Sequence, residues 1–241
     1  MKKLNHIKKY DCWKKNRKIR REMPELWHLK STKFGYIQIP KVASRSIRLC
    51  LSKFYVESKK LKHPEIWDKK SIKDIETQIA FHTSHKEIVE IAKEHFIFSF
   101  VRNPYSRIYS AYKNKVILPL ERGGENIFYN HGITLGMDFE SFVDKICTIP
   151  DQNIDRHLRS QSWFLTFEDK LIPDYIGHLE TFATDWEKLS NKFGLPEAEQ
   201  KNRTENIDNK NISEHFTLET KEKIRARYHK DFILFNYNDN L

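Results

Sequence analysis

Apolar positions along this chain fall into two alternating kinds of run. Phe34–Ile39 and Phe96–Val101 are short, aromatic and β-branched, the composition of buried strands. After them, apolar residues recur at helical spacing: Ile47, Leu51 and Phe54 within Ser44–Val56, then Ile88, Ile91 and Ala92. Gln78–Phe81 and Asp174–Phe182 predict further short strands. Asn103-Pro104 puts an N-cap before a proline at the first helical position, opening a helix that carries Ile108, Ala111, Tyr112 and Lys115. Asp138 predicts the cap of a helix running to Cys147, and another segment spans Asp155–Leu165. Thr184-Asp-Trp-Glu187 has the form of a capping box, with Gly194 as the stop. Thr217–Phe235 reads as one long amphipathic helix. The Lys-rich stretch 57–76 predicts a surface excursion, and 118–135, with Pro119, Gly123, Gly124 and Gly132, a long loop. Lys201–Asn211 reads as a polar loop. Strands alternating with helices predict an α/β fold, a central, mostly parallel sheet covered on both faces.

Charge narrows the class. The 241 residues carry 43 Lys+Arg against 33 Asp+Glu, a formal net charge of +10. That excess suits a polyanionic partner: nucleic acid, an anionic membrane surface, a nucleotide or an acidic glycan. Residues 1–30 are the most basic part, with Trp13 and Trp27 embedded. They read as an arm or helix, solvated or touching anionic lipid or an acidic partner, ahead of a single domain over 31–241. Cys12, Cys50 and Cys147 are too few and too scattered for a disulfide framework or a cysteine zinc site. The N-terminus has no apolar core of a secretory signal, and no apolar run nears the roughly 20 residues of a membrane span. A cytoplasmic protein, at most peripheral to a membrane, is the expectation.

Two strand-to-helix junctions carry the chemistry. In Ile39-Pro40-Lys41-Val42-Ala43-Ser44-Arg45-Ser46, a lysine and two hydroxyls stand at a helix start, where backbone N–H groups and the positive helix end favour an anion. Pro40 stands where an NTPase phosphate loop has glycine, which disfavours that class and its magnesium site. In Val101-Arg102-Asn103-Pro104-Tyr105-Ser106-Arg107-Ile108-Tyr109-Ser110, Arg102 lies at the carboxyl end of a strand, the ligand edge of an open α/β sheet. Its guanidinium is suited to paired bonds with phosphate, Ser110 adds a hydroxyl and Arg107 a further cation. A nucleic-acid-binding module accounts for the charge but not for two helix-start anion sites on successive strands.

Together these residues resemble the PAPS-dependent sulfotransferases, specifically the carbohydrate sulfotransferase family; PAPS is 3′-phosphoadenosine 5′-phosphosulfate. That family shows I-P-K-x-x-[ST]-x-[ST] and V-R-[DN]-P-[FY]-x-R-x-x-S-[AG]-[FY]. Asp155-Arg156-His157-Leu158-Arg159-Ser160-Gln161 resembles its D-x-H-x-x-P-Q segment, with Ser160 in place of proline. Tyr175-Ile-Gly-His-Leu-Glu180, followed by Asp185, resembles its Y-I-G-x-x-E…D segment. The likeness spans roughly residues 34–236 and implies a P-loop-like three-layer sandwich. It implies an enzyme moving a sulfuryl group from PAPS to a carbohydrate hydroxyl, with PAP as co-product. Lys41, Val42, Ala43, Ser44, Arg45 and Ser46 would hold the phosphosulfate, and Arg102 and Ser110 the 3′-phosphate. Arg203, between Asn202 and Thr204, would close over the nucleotide.

Transfer to an alcohol also needs charge stabilisation, assigned to Lys41, and a base. Phe81-His82-Thr-Ser-His85 lies between the two nucleotide motifs, where some members of the family place a basic histidine. His82 is the first choice and His85 the second, with His157 a rival; Glu180 reads as scaffold. No metal enters this scheme, and His82 with His85 lacks a third ligand. The acceptor and the oligomeric state are not legible.

Overall fold

The computed structural model describes residues 23–198 and 212–238. The basic residues before Met23, including Cys12 and Trp13, and the segment holding Asn202, Arg203 and Thr204 lie outside the described residues. The main sheet is built from β1 (Glu25–Leu29), β2 (Phe34–Gln38), β3 (Ala80–His82) and β4 (Phe96–Val101). A small hairpin, β5 (Thr166–Phe167) with β6 (Lys170–Leu171), stands apart, and β7 (Tyr175–His178) completes the sheet in the order β3-β1-β2-β4-β7. β2, β4 and β7 pair in parallel, and β1 runs antiparallel to both of its neighbours. Four strands therefore point one way and β1 alone opposes them, which makes the sheet mostly parallel, as the alternation of elements predicts.

β1 is a correction. The charge pattern assigns residues up to 30 to a basic arm, yet every residue of Glu25–Leu29 is buried in the sheet. Glu25 and His28 mask the strand in the sequence because both are polar and both are buried. The antiparallel course of β1 has a consequence for the site: Glu25 pairs with Gln38, at the ligand edge of β2, and with His82 at the end of β3.

Helices surround the sheet. α1 (Ser44–Ser58), α2 (Lys69–Ile79) and α3 (His85–Ala92) come from the first half of the chain. α4 (Pro104–Tyr112) begins as predicted, with the Asn103 side chain accepting the Tyr105 N–H at 3.0 Å and Pro104 at N1. A π turn over Lys113–Ile117 leads into α5 (Leu118–Arg122). α6 (Phe139–Cys147) starts at its Asp138 cap, and α7 (Gln161–Leu165) follows. α8 (Phe182–Phe193), α9 (Leu218–Arg227) and α10 (His229–Leu234) follow among the described residues.

Several predicted elements shift. The stretch 57–76 is not all excursion: α2 starts at Lys69, capped by Asp68, and buries Ile75 and Ile79 beneath its outer lysines. Loop 118–135 contains α5 and a 3-10 turn at Tyr129–His131. Thr184–Glu187 lies inside α8, whose N-cap is Thr181; Gly194 does end that helix, at φ 68°. Thr217–Phe235 breaks at Tyr228, whose buried hydroxyl donates to the Leu158 carbonyl at 2.6 Å.

Two apolar clusters result. One packs on the sheet around Trp27, Tyr36, Phe98, Phe100 and Trp186. The other joins α4, α6, α9 and α10 through Tyr105, Tyr109, Phe142, Tyr228 and Phe232. The segment from Phe98 to Tyr112 passes from the first into the second, and Arg102 sits where it crosses. Gly177 makes room for this arrangement, because an added Cβ would run into the Phe100 ring.

A buried carboxylate fixes the crossing. Asp231 on α10 is fully buried and accepts the backbone N–H groups of Gln161 and Ser162, each at 2.7 Å. The Gln161 side chain in turn accepts the Arg102 N–H at 2.9 Å and donates to the Arg102 carbonyl at 2.7 Å. Asp231→Ala strands two desolvated donors, so it should lower the unfolding free energy by about 2–5 kcal/mol. Urea unfolding of the two proteins measures this; a loss below about 1 kcal/mol would show that the α7 cap is dispensable.

Candidate active site

The loop after β2 turns without glycine. Lys41 and Ala43 take left-handed backbone angles, φ 73° and 56°, with Val42 between them in the apolar core. Such angles are costly for residues with a Cβ and occur where surrounding structure enforces them. They swing the chain into α1, whose N-cap Ala43 supplies no side-chain cap. The first N–H groups of α1 are thus left for a ligand rather than a side chain.

The loop after β4 meets it. Arg102 reaches across to the Lys41 carbonyl, Nη1 to O at 3.5 Å, and its Nε donates to Ser106 Oγ at 3.0 Å. Arg107, named above as a further cation of the site, is instead a tie beneath it. Its guanidinium is buried and donates to the carbonyls of Pro40 at 3.2 Å, Arg159 at 2.7 Å and His157 at 3.4 Å. One side chain on α4 thereby sets both the turn after β2 and the segment around His157. Glu180 is scaffold as well: it accepts the Asn103 N–H at 2.8 Å and the Tyr237 hydroxyl at 3.0 Å. Asp185 holds β7 to α8, accepting from Tyr175 at 2.8 Å and from the His178 N–H at 3.0 Å.

These elements enclose a cavity of about 310 Å³. Lys41, Ala43, Ser44, Arg45, Arg102 and Ser110, all named from the two motifs, line it. Val42 and Ser46 lie behind the wall, buried, so that only their backbone is suited to serve a ligand. Polar lining residues outside those motifs are Gln38, Arg48, Asn114, Lys115, Arg156 and His157. A helical-periodicity signal for some of them was present in the sequence. Arg48 lies one turn beyond Ser44, and Asn114 one turn beyond Ser110, whose carbonyl accepts its Nδ2 at 3.0 Å.

Among the described residues, six Lys or Arg side chains line this cavity and no Asp or Glu does. The electrostatic effect is plainest at Lys41. Burial, then Arg102, Lys115, Arg45 and Arg107, push its ammonium down to about 7. Arg102 is lowered to about 10, chiefly by burial. Crowding of this kind is unfavourable for the protein alone and favourable once anions are shared among the cations.

His157 is the histidine of the cavity wall. Its Nδ1 lies 2.7 Å from Asp155 Oδ1, which also accepts the His157 N–H at 2.9 Å. A Nδ1–H donated to that carboxylate leaves Nε2 as the basic nitrogen. Burial lowers the imidazole against the opposing pull of Asp155, so it is neutral near pH 7. Burial alone would raise Asp155; the bonds from His157 outweigh it and keep the carboxylate ionised. His82 and His85 do not line the cavity. His85 Nε2 is 2.6 Å from the Trp163 carbonyl. His82 lies behind the wall, Nε2 3.8 Å from Glu25 and Nδ1 3.5 Å from the Met23 carbonyl.

Among the described residues, no cluster of three or more His, Cys, Asp or Glu is placed to hold a metal, and no helix is long and apolar enough to cross a membrane. Comparison with curated proteins and with solved structures gives no match. A family model described as "Sulfotransferase family" matches residues 24–238. That span takes in β1, both strand-to-helix junctions, the His157 segment and α10, so the chain belongs to the sulfotransferase family.

Proposed function

We propose that this sulfotransferase uses PAPS as donor and a carbohydrate hydroxyl as acceptor, and releases PAP. The observation that carries the reading is the one cavity in which Lys41 and Arg102 converge, lined among the described residues by cations and by no carboxylate. The residues fit a donor with anionic groups at two ends. Arg102 and Ser110 would hold the 3′-phosphate; Lys41, Ser44, Arg45 and the α1 N-terminus would hold the 5′-phosphosulfate.

When bound, the donor supplies an activated sulfur: the acceptor oxygen forms a bond to it as the bond from sulfur to the 5′-phosphate oxygen breaks. Lys41 and the first N–H groups of α1 stabilise the charge left on that phosphate. His157 Nε2 takes the acceptor proton, and Asp155 holds the ring in the tautomer that allows this and stabilises the imidazolium that forms. His157, rather than His82 or His85, is the base in this reading because it alone of the three faces the cavity.

Arg102→Ala should weaken PAP binding by about 2–4 kcal/mol, the loss of a charge-assisted pair. Calorimetric titration with PAP tests it, and an unchanged dissociation constant would remove Arg102 from the donor site. His157→Ala should lower kcat by roughly a hundredfold or more with PAP affinity kept, while His82→Ala costs less than about tenfold. The opposite ranking in a labelled-sulfate transfer assay would return the base to His82.

The lowered Lys41 gives a pH test. An anionic ligand favours the ammonium, so it raises the group from about 7 and binding takes up a proton. Uptake is largest where the unbound lysine is neutral, so PAP affinity should fall as pH rises above 7. Titration at pH ~8 in buffers of different ionisation enthalpy reads the proton count. A buffer-independent heat in the native protein, equal to that of Lys41→Met, would contradict it.

A further inference from the structure

Loop 118–135 supplies none of the residues that line the cavity, yet it is built to a fixed form. Asn126 closes it on itself: Nδ2 donates to the Ile133 carbonyl at 2.8 Å, and Oδ1 accepts the Phe128 N–H at 3.0 Å. Phe128 is fully buried, and the turn Tyr129–His131 follows it, the His131 N–H donated to the Phe128 carbonyl at 2.9 Å. Just beyond the loop, the chain is tied back to the helices that precede it. The Gly136 N–H donates to the Val116 carbonyl at 3.1 Å, and the Tyr112 hydroxyl to the Met137 carbonyl at 2.8 Å. A long loop fixed in this way, with its tip turned inward, has something to hold.

What it holds is the base segment. The Phe128 ring meets the His157 ring edge to face, with centroids 6.4 Å apart and planes at 62°. His131 Nε2 accepts the backbone N–H of Asp155 at 3.1 Å. A backbone amide can only donate, so Nε2 carries the lone pair and the neutral His131 ring has its proton on Nδ1. Asp155 is the residue on which the base depends, since its Oδ1 receives both the His157 N–H and the His157 ring. That carboxylate also lies in the field of a cavity cation: burial lowers the Lys115 ammonium, and Asp155 pulls it the other way. Drawn by an ammonium as well as by the imidazole, Asp155 keeps its place through its backbone, and the bond to His131 is what anchors its amide.

We propose that His131 is a positioning residue for the transfer reaction: by accepting the Asp155 N–H it fixes the carboxylate on His157 Nδ1, and so keeps His157 Nε2 as the nitrogen that takes the proton. Phe128 limits the swing of the imidazole, and Asn126 gives the loop the shape that delivers both side chains. The inference rests on the reading of His157 as the base. His131 stands outside the cavity lining and acts only through Asp155.

Two variants separate the hydrogen bond from the bulk of the ring. His131→Gln keeps an acceptor oxygen near the place of Nε2, and His131→Leu fills the space without one. Isotope-labelled ring nitrogens report the tautomer of His157 by NMR at pH ~8, above the ordinary histidine range, with the signals assigned from His157→Ala. This readout needs no acceptor. The native protein and His131→Gln should hold His157 as the Nδ1–H tautomer, and His131→Leu should show both tautomers. Release of PAP from PAPS, with a dextran oligosaccharide as the alcohol, is followed in parallel. Its kcat should fall about tenfold or more in His131→Leu and return to within about threefold of native in His131→Gln, with PAP affinity within about twofold throughout. A native tautomer in His131→Leu, or a loss there that His131→Gln does not repair, would overturn the proposal. If His131→Leu does not fold, Asn126→Ala decides the matter, because it loosens the loop and leaves His131 in place: mixed tautomers support the strut and a native tautomer overturns it. The base reading fails separately. Turnover kept in His157→Ala would remove the base, while the tautomer of His157 in the His131 variants would still report whether the strut holds the ring.

Discussion

The structure depends on holding like charges together. Lys41 and Arg102 follow different strands and meet at 3.5 Å through a carbonyl, with four more cations and no carboxylate among the described residues of the same cavity wall. Left to itself such a cluster would spread apart, and the protein prevents this by fixing the backbone rather than by neutralising the charge. The acidic groups that do the fixing do not line the cavity: Asp231 is buried under α7, Glu25 is buried beneath Arg156, and Glu180 is exposed beside the start of α4. Each accepts from a backbone N–H or from a guanidinium, and each thereby places a cation without cancelling its field in the cavity.

Arg107 shows how the two halves of the site are kept in step. A single buried guanidinium directs its donors to three carbonyls, one in the turn before Lys41 and two in the segment of His157 and Arg159. Asp231 and Asp151 attract its charge, but the groups it donates to are carbonyls, so its role is geometric. The turn after β2, with its left-handed Lys41 and Ala43, and the His157 segment are therefore referenced to the same point on α4.

Much of this was legible in the residues. Both motifs fall on strand-to-helix junctions as their composition predicts, and Asn103 with Pro104 opens α4. What escaped has physical causes. β1 was hidden because its polar residues are buried partners of the site, so its pattern does not alternate with solvent. α2 was hidden because lysines dominate its exposed face, leaving two buried isoleucines as the signal. Arg107 reads as a site cation from charge alone, and only its carbonyl partners reveal a tie. The histidines could not be ranked from spacing, since His82 and His85 share a segment with the sheet edge while His157 reaches the cavity from a distant loop.

The passage of residues 98–112 through both apolar clusters has a further consequence. Arg102 is the joint between a sheet-centred unit and a helical one, and whatever bridges Arg102 to Lys41 also bridges those units. Occupancy of this pocket is thereby a mechanical rivet between the two units, and a filled pocket holds them together against unfolding where an empty one does not.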